Sequence, residues 1–211
     1  MSGGADKTSP PVAKFQITLP KLLLVEGKED ERFLAEALEH LGIGGIQILP
    51  IAGKDNLGTN LAALTRDPKF GEVTCVAVIL DADSDSGEAF QSARDSLKSQ
   101  GFSVPQAHGV FTTGSRRTGV FIMPDGVNPG MLETLCMQSV TDTPRAKCVE
   151  GFLACLSENG LLPANKDKVR AHAWLAGQSE PGKRLGEAAE AGYWRFENPV
   201  FENLWNFLRA M

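Results

Sequence analysis

Two short apolar runs, each ending on acids, constrain the fold more than any other feature of the sequence. The first is Lys21-Leu-Leu-Leu-Val-Glu-Gly-Lys-Glu-Asp30, and the second is Val76-Ala-Val-Ile-Leu-Asp-Ala-Asp-Ser-Asp85. Runs this short, rich in Val, Ile and Leu and bounded by turn residues, are the pattern of strands buried on both faces of a parallel sheet. Ligand sites in such sheets form beyond the carboxyl ends of strands, where the strand order reverses. Both acidic clusters fall at such ends.

The rest of the chain alternates in the same way. Phe15 to Val25 reads as the first strand, interrupted near its start by Pro20, and Asp30 to Leu41 as an amphipathic helix stopped by Gly42. Ile46–Ile51 and Thr74–Leu80 read as strands, with helix Leu57–Leu64 between them and helix Ser86–Gln100 after them. Val110-Phe-Thr-Thr and Gly119-Val-Phe-Ile-Met are two further strands, and Pro129-Gly130 turns the chain into a helix from Met131. The fold class is therefore α/β, a mostly parallel Rossmann-like sheet flanked by helices. Beyond Val140 only helices are expected, over Pro144–Leu156, Lys166–Leu175 and Phe201–Met211. The expected organisation is a Gly/Ser/Pro-rich leader at 1–14, an α/β domain at 15–140, and a helical C-terminal extension at 141–211 packed on it.

Composition narrows the setting. The 211 residues carry 21 Lys and Arg against 26 Asp and Glu, a net charge of −5, so no broad basic footprint for nucleic acid exists at the whole-chain level. Cys75, Cys136, Cys148 and Cys155 form no CxxC pair and read as buried free thiols in a reducing compartment. No apolar run approaches the roughly 18 residues needed to span a bilayer. A cytoplasmic protein without a membrane partner is expected.

The second acidic cluster carries chemistry of its own. Residues i and i+2 share a face of a strand, so Asp81 and Asp83 point the same way if the strand persists to its end. Two carboxylates so close repel unless a cation or proton intervenes, and Mg²⁺ takes oxygen ligands of this kind. Alternatively the pair simply ends a strand and starts a helix. Asp85 either extends the cluster or caps the following helix. Asp30 caps or begins the helix after the first run.

A strand ending Val25-Glu26-Gly27-Lys28, followed by one ending Leu80-Asp81-Ala82-Asp83, resembles the Toprim domain. That domain is shared by topoisomerases, bacterial primases, RecR-type recombination proteins and OLD-type nucleases. The likeness covers about half the chain, Lys21 to Thr134. It implies a Toprim/Rossmann-like sheet, with Glu26 as a catalytic acid/base or metal ligand and Asp81 and Asp83 as the metal-binding pair. Asp30 resembles a second acid of the OLD-like branch. Gly130-Met-Leu-Glu133 resembles the Gly-x-Leu-Glu segment of small stand-alone Toprim-like proteins, which makes Glu133 a further candidate ligand. The segment Pro181 to Trp194 resembles the tail of a bacterial Toprim-like family and transfers no chemistry.

The departures from the family are informative. No Gly-x-x-x-x-Gly-Lys-[Ser/Thr] sequence is present, Tyr193 lies far from any topoisomerase motif, and no zinc-ribbon cysteines occur. Topoisomerase and primase activities are therefore not expected, and what the resemblance implies is Mg²⁺-dependent (or Mn²⁺-dependent) phosphodiester cleavage in nucleic acid. The alternative is a non-catalytic Toprim module that binds nucleic acid or a protein partner, such as an ATPase, in a repair or defence complex. A homodimer is compatible with either. The run ending in Asp-x-Asp is also similar to haloacid-dehalogenase-type phosphatases, but there the acid follows the first strand and here it follows the third.

Lys54 and Arg116 sit in loops after strands and are candidate phosphate contacts, or solvated loop charges. Lys168, Arg170, Lys183 and Arg184 form the densest basic region of the tail. The OLD resemblance implies a lysine near the scissile phosphate, with Lys168 and Lys183 the candidates. His40, His108 and His172 lack ligand spacing and read as surface or capping residues. Trp174, Trp194, Trp205, Phe196, Phe201 and Phe207 read as core for the helical tail.

Overall fold

The computed structural model describes residues 16–211, so the expected leader at 1–14 lies outside the described residues. Four strands form the sheet: β1 (Lys21–Val25), β2 (Ile46–Pro50), β3 (Cys75–Asp81) and β4 (Arg117–Met123). Their order is β2-β1-β3-β4 and every pairing is parallel. From β1 the chain moves outward to β2, then crosses back over β1 to β3. The order therefore reverses between β1 and β3, and a crevice opens beyond their carboxyl ends.

Alternation along each strand builds two cores. Leu22 and Leu24 of β1, Val76, Val78 and Leu80 of β3, and Val120 and Ile122 of β4 face α2 (Leu57–Leu64) and α3 (Ser86–Ser99). Leu23, Val25, Ala77, Ile79, Phe121 and Met123 face the opposite way. That side is covered by α1 (Lys28–His40), α4 (Leu132–Gln138), α5 (Pro144–Glu158), α6 (Lys166–Ala176), α7 (Leu185–Glu190) and α8 (Glu202–Arg209). The C-terminal helices thus share one continuous apolar cluster with the sheet. The aromatic residues of the tail are its packing: Phe201 stacks on Trp205, Trp174 on Trp194, and Phe207 lies against Phe121.

Several sequence expectations are corrected. The first strand begins only at Lys21, one residue after Pro20, which cannot donate to a ladder. Val110–Thr113 is not a strand: it makes one isolated antiparallel bridge, Phe111 to Gly119. The last strand begins at Arg117, two residues before Gly119, its expected start. The six-residue helix α7 was not foreseen. Cys75 and Cys136 are buried, but Cys148 and Cys155 are exposed on α5. His108 is not a surface residue: its Nδ1 accepts from Ile122 N–H at 2.9 Å, and its ring lies against Phe121. Among the described residues no helix is long and apolar enough to cross a membrane.

Candidate functional site: an acidic cavity at the switch point

Glu26 is the first residue beyond β1, and Asp81 is the last residue of β3. The adjacent strands bring them together: Glu26 Oε2 accepts from Asp81 N–H at 3.2 Å, and Oε1 accepts from Lys54 N–H at 3.1 Å. By strand parity Asp81 faces the α1 side, as Ile79 does. Asp30 stands in the first turn of α1, where its Oδ2 accepts from Gly27 N–H at 2.9 Å and closes the helix start. An acid in that position is also favoured by the helix dipole.

Glu133 arrives by a different route. Beyond β3 the chain pairs Asp83 with Gly130 through two backbone hydrogen bonds of 2.9 Å, which docks the start of α4 against the end of the strand. Leu132 N–H then donates to Asp81 Oδ1 at 3.0 Å. Gly130 has φ +141, and a Cβ there would lie 2.7 Å from Thr134 Oγ1, so only glycine fits. The next-but-one residue after Leu132's neighbour Met131 is Glu133, placed in the first turn of α4 beside Asp81.

These four carboxylates line a cavity of about 610 Å³ together with Glu29, Lys28, Lys168, His172 and Arg184. The acids at positions 26, 30, 81 and 133 are half-buried, whereas Lys168, His172 and Arg184 are exposed. The result is an acidic floor with a basic rim. Burial, and then the neighbouring Glu26, push the Asp30 carboxyl up to about 6. Burial also pushes Asp81 well above the usual carboxylate range, with Asp30, Glu26 and Glu133 adding to the effect. Even the enclosed Cys136 thiol is raised, first by burial and then by Glu133, Asp30 and Asp81. The floor carries more negative charge than its surroundings compensate.

The rim is fixed by the tail. Thr134 Oγ1 of α4 donates to Asp167 Oδ2 at 2.6 Å, and Asp167 in turn holds Arg170, which pairs with Glu150 of α5. This anchors α6 so that Lys168 and His172, one turn apart, face the cavity. Glu29 Oε2 accepts from Gly186 N–H at 2.9 Å, and Arg32 pairs with Glu187 at 2.9 Å. These contacts hold α7 on α1 and bring Arg184 to the rim.

Other sequence candidates lie elsewhere. Asp83 and Asp81 do not share a face: the strand ends at Asp81, and Asp83 adopts φ +51, so the alternation fails at that point. Asp83 instead pairs with Lys54, an exposed contact outside the cavity. Asp85 is the cap of α3, accepting from Glu88 N–H at 2.9 Å. Arg116 is not free for phosphate: it donates to the carbonyls of Val73 and Phe70 and lies over the Phe70 ring. Lys183 pairs with Glu180 at 3.3 Å. Of the candidate lysines, Lys168 is the one at the cavity. His172 and Arg184 escaped sequence reasoning as site residues; the i, i+4 spacing of Lys168 and His172 on a helix was the available signal for the first.

Among the described residues, no three His, Cys, Asp or Glu groups are drawn close enough to hold a metal ion as they stand. Several of the carboxylate oxygens are occupied by backbone N–H groups instead.

A family model described as "Protein of unknown function (DUF3226)" matches residues 20–211. The chain belongs to that family. The match covers the sheet and the helical tail, so every acid and cation of the cavity falls within the family's span. No curated protein and no solved structure matches the chain.

Proposed function

We propose that the acidic cavity cleaves phosphodiester bonds in nucleic acid with a hard divalent cation, Mg²⁺ or Mn²⁺, in the manner of the Toprim enzymes the sequence resembles. The observation that carries this reading is the gathering of Glu26, Asp30, Asp81 and Glu133 at the switch point, under a rim of Lys168, His172 and Arg184. An acidic floor suits a cation, and a basic rim beside it suits an anion such as a phosphodiester.

The donor chemistry suits such an ion, and its side chains would have to draw together around it. All its donors are carboxylate oxygens, the ligands hard cations take. The charge that drives the Asp30 and Asp81 carboxyls upward is charge a cation would offset. Asp81 Oδ2 and both Glu133 oxygens accept no hydrogen bond from the described residues. Asp81, Asp30 and Glu133 are therefore the assigned ligands, with Glu26 alongside; Asp83 and Asp85 are left out. When bound, the cation supplies Lewis-acid charge that offsets the negative charge gathering on the phosphate oxygens.

The chain's own groups do the rest. Lys168 and Arg184 neutralise and orient the phosphodiester. Glu26, oriented by two backbone N–H groups, takes a proton from the attacking water through a remaining lone pair. As the new O–P bond forms, the P–O bond to the leaving oxygen breaks, and that oxygen takes a proton from solvent.

Two observations favour the alternative of a non-catalytic module: both Glu26 oxygens are engaged, and among the described residues no three-ligand group stands assembled. A single assay separates the two. Supercoiled plasmid and labelled single strands are incubated with Mg²⁺, Mn²⁺ or EDTA, with Asp81→Asn in parallel. Metal-dependent turnover that is lost in Asp81→Asn supports the enzyme; tight binding without turnover in any metal supports the module.

A further inference from the structure

Beside the acidic cavity lies a second concavity of about 690 Å³, between α5 and α6, whose lining is almost wholly apolar. Its walls include Val149, Val169 and Ala173, and Phe152 stands at its edge with 48% of its surface exposed. No acid lines it, although the chain carries 26 acids and a net charge of −5. Its polar boundary is cationic or basic: Arg145, Lys168 and His172. Arg145 is fixed there, its Nε donating to Gly177 O at 2.8 Å and its guanidinium lying against Trp174.

Lys168 and His172 line both concavities. A ligand whose phosphate sits at the rim of the acidic cavity therefore continues directly into the apolar groove. Such a ligand needs a flat apolar part next to an anionic backbone, which is the chemistry of an unpaired nucleotide. Stacked bases in a duplex present edges and phosphates, not free faces, so a groove of this kind discriminates against them.

We infer that the groove between α5 and α6 receives an unpaired nucleobase next to the bound phosphate, stacking on Phe152, so that the substrate is single-stranded nucleic acid. The inference rests on the reading of the acidic cavity as a phosphodiester site. It assigns Phe152 as the stacking platform and Arg145 as the contact for the adjoining phosphate.

The test is fluorescence anisotropy with a labelled oligothymidylate of about 12 nucleotides, its duplex, and an abasic strand of equal length, in Ca²⁺. Cleavage is followed separately in Mg²⁺ and Mn²⁺. The single strand should bind at least about tenfold more tightly than the duplex or the abasic strand. Phe152→Ala should lose about tenfold for the single strand, and Phe152→Tyr should keep the wild-type affinity. Thermal melts matched to wild type establish that the variants are folded. Equal affinity for single strand and duplex, or wild-type affinity in Phe152→Ala, overturns the inference and leaves the groove to a protein partner. Base-dependent binding lost in Phe152→Ala, but no cleavage in either metal, keeps the groove and removes the phosphodiesterase reading. Cleavage indifferent to Phe152 and to strandedness does the reverse. No binding of any strand removes both.

Discussion

Asp81 is held by one backbone N–H and surrounded by three other acids, so its charge is the least comfortable in the cavity. An asparagine would keep the bond from Leu132 N–H while removing that charge. Asp81→Asn is therefore expected to lower metal-dependent cleavage by about a hundredfold or more, yet to raise the melting temperature of the metal-free protein at pH 8. Parallel turnover assays and thermal scans check both. Asp83→Asn should behave differently, because the Asp83 carboxylate pairs with exposed Lys54, and exposed pairs contribute little stability, while its backbone bridge to Gly130 is unchanged. It should retain activity within about threefold of wild type. The positions of Glu26 and Asp81 were legible in the sequence because each ends an apolar run. The pairing of Asp81 with Asp83 was not, since period-2 reasoning ends where φ turns positive. Glu133 was reached only through resemblance; its proximity depends on the Asp83–Gly130 bridge, which no local pattern announces.

At the scale of elements, the site depends on how α4 and α7 dock. A Cβ on Gly186 would lie 2.5 Å from Arg32 Cβ and 3.1 Å from Glu29 O, so α7 cannot sit as close to α1 with a larger residue. Gly186→Ala should destabilise the fold by about 1–3 kcal/mol, read by denaturant unfolding, and should displace Arg184 enough to raise KM. Gly130→Ala meets both a positive φ and Thr134, and should lower kcat as well, because it moves Glu133. The parallel strands and the long helices were readable from apolar runs and periodicity. Helix α7 was not: six residues have little intrinsic helicity, and tertiary contacts from Glu29 and Arg32 hold it. Val110–Thr113 has strand composition, but only Gly109 N–H and Thr112 N–H reach β4 or its flank. Composition alone does not reveal a missing ladder.

For the whole molecule, the uncompensated floor sets a pH dependence. Asp30 titrates near 6 when folded and near 3.8 when unfolded, so between these values the folded state binds more protons. Stability of the metal-free protein should accordingly fall as pH rises from about 4 to 7, by an amount on the order of 2–3 kcal/mol from this group. Asp81 acts in the same direction. His108 acts oppositely: burial lowers its pKa, and protonating Nδ1 would break its bond from Ile122 N–H. Its contribution is complete above pH 6.5 and is lost as pH falls through the lowered value. Asp30→Asn should flatten the neutral-pH decline, and His108→Gln the acidic one, both in thermal scans across pH. A bound divalent ion should cancel the first effect and leave the second untouched.

Whether these carboxylates form a cation site is tested most directly by calorimetric titration with Mn²⁺ at pH 7.5. Wild type and Asp83→Asn should bind the ion alike, while Asp81→Asn and Glu133→Gln weaken binding by about tenfold or more. Binding that survives in Asp81→Asn but disappears in Asp83→Asn, or no binding by the wild type, would contradict the cation site.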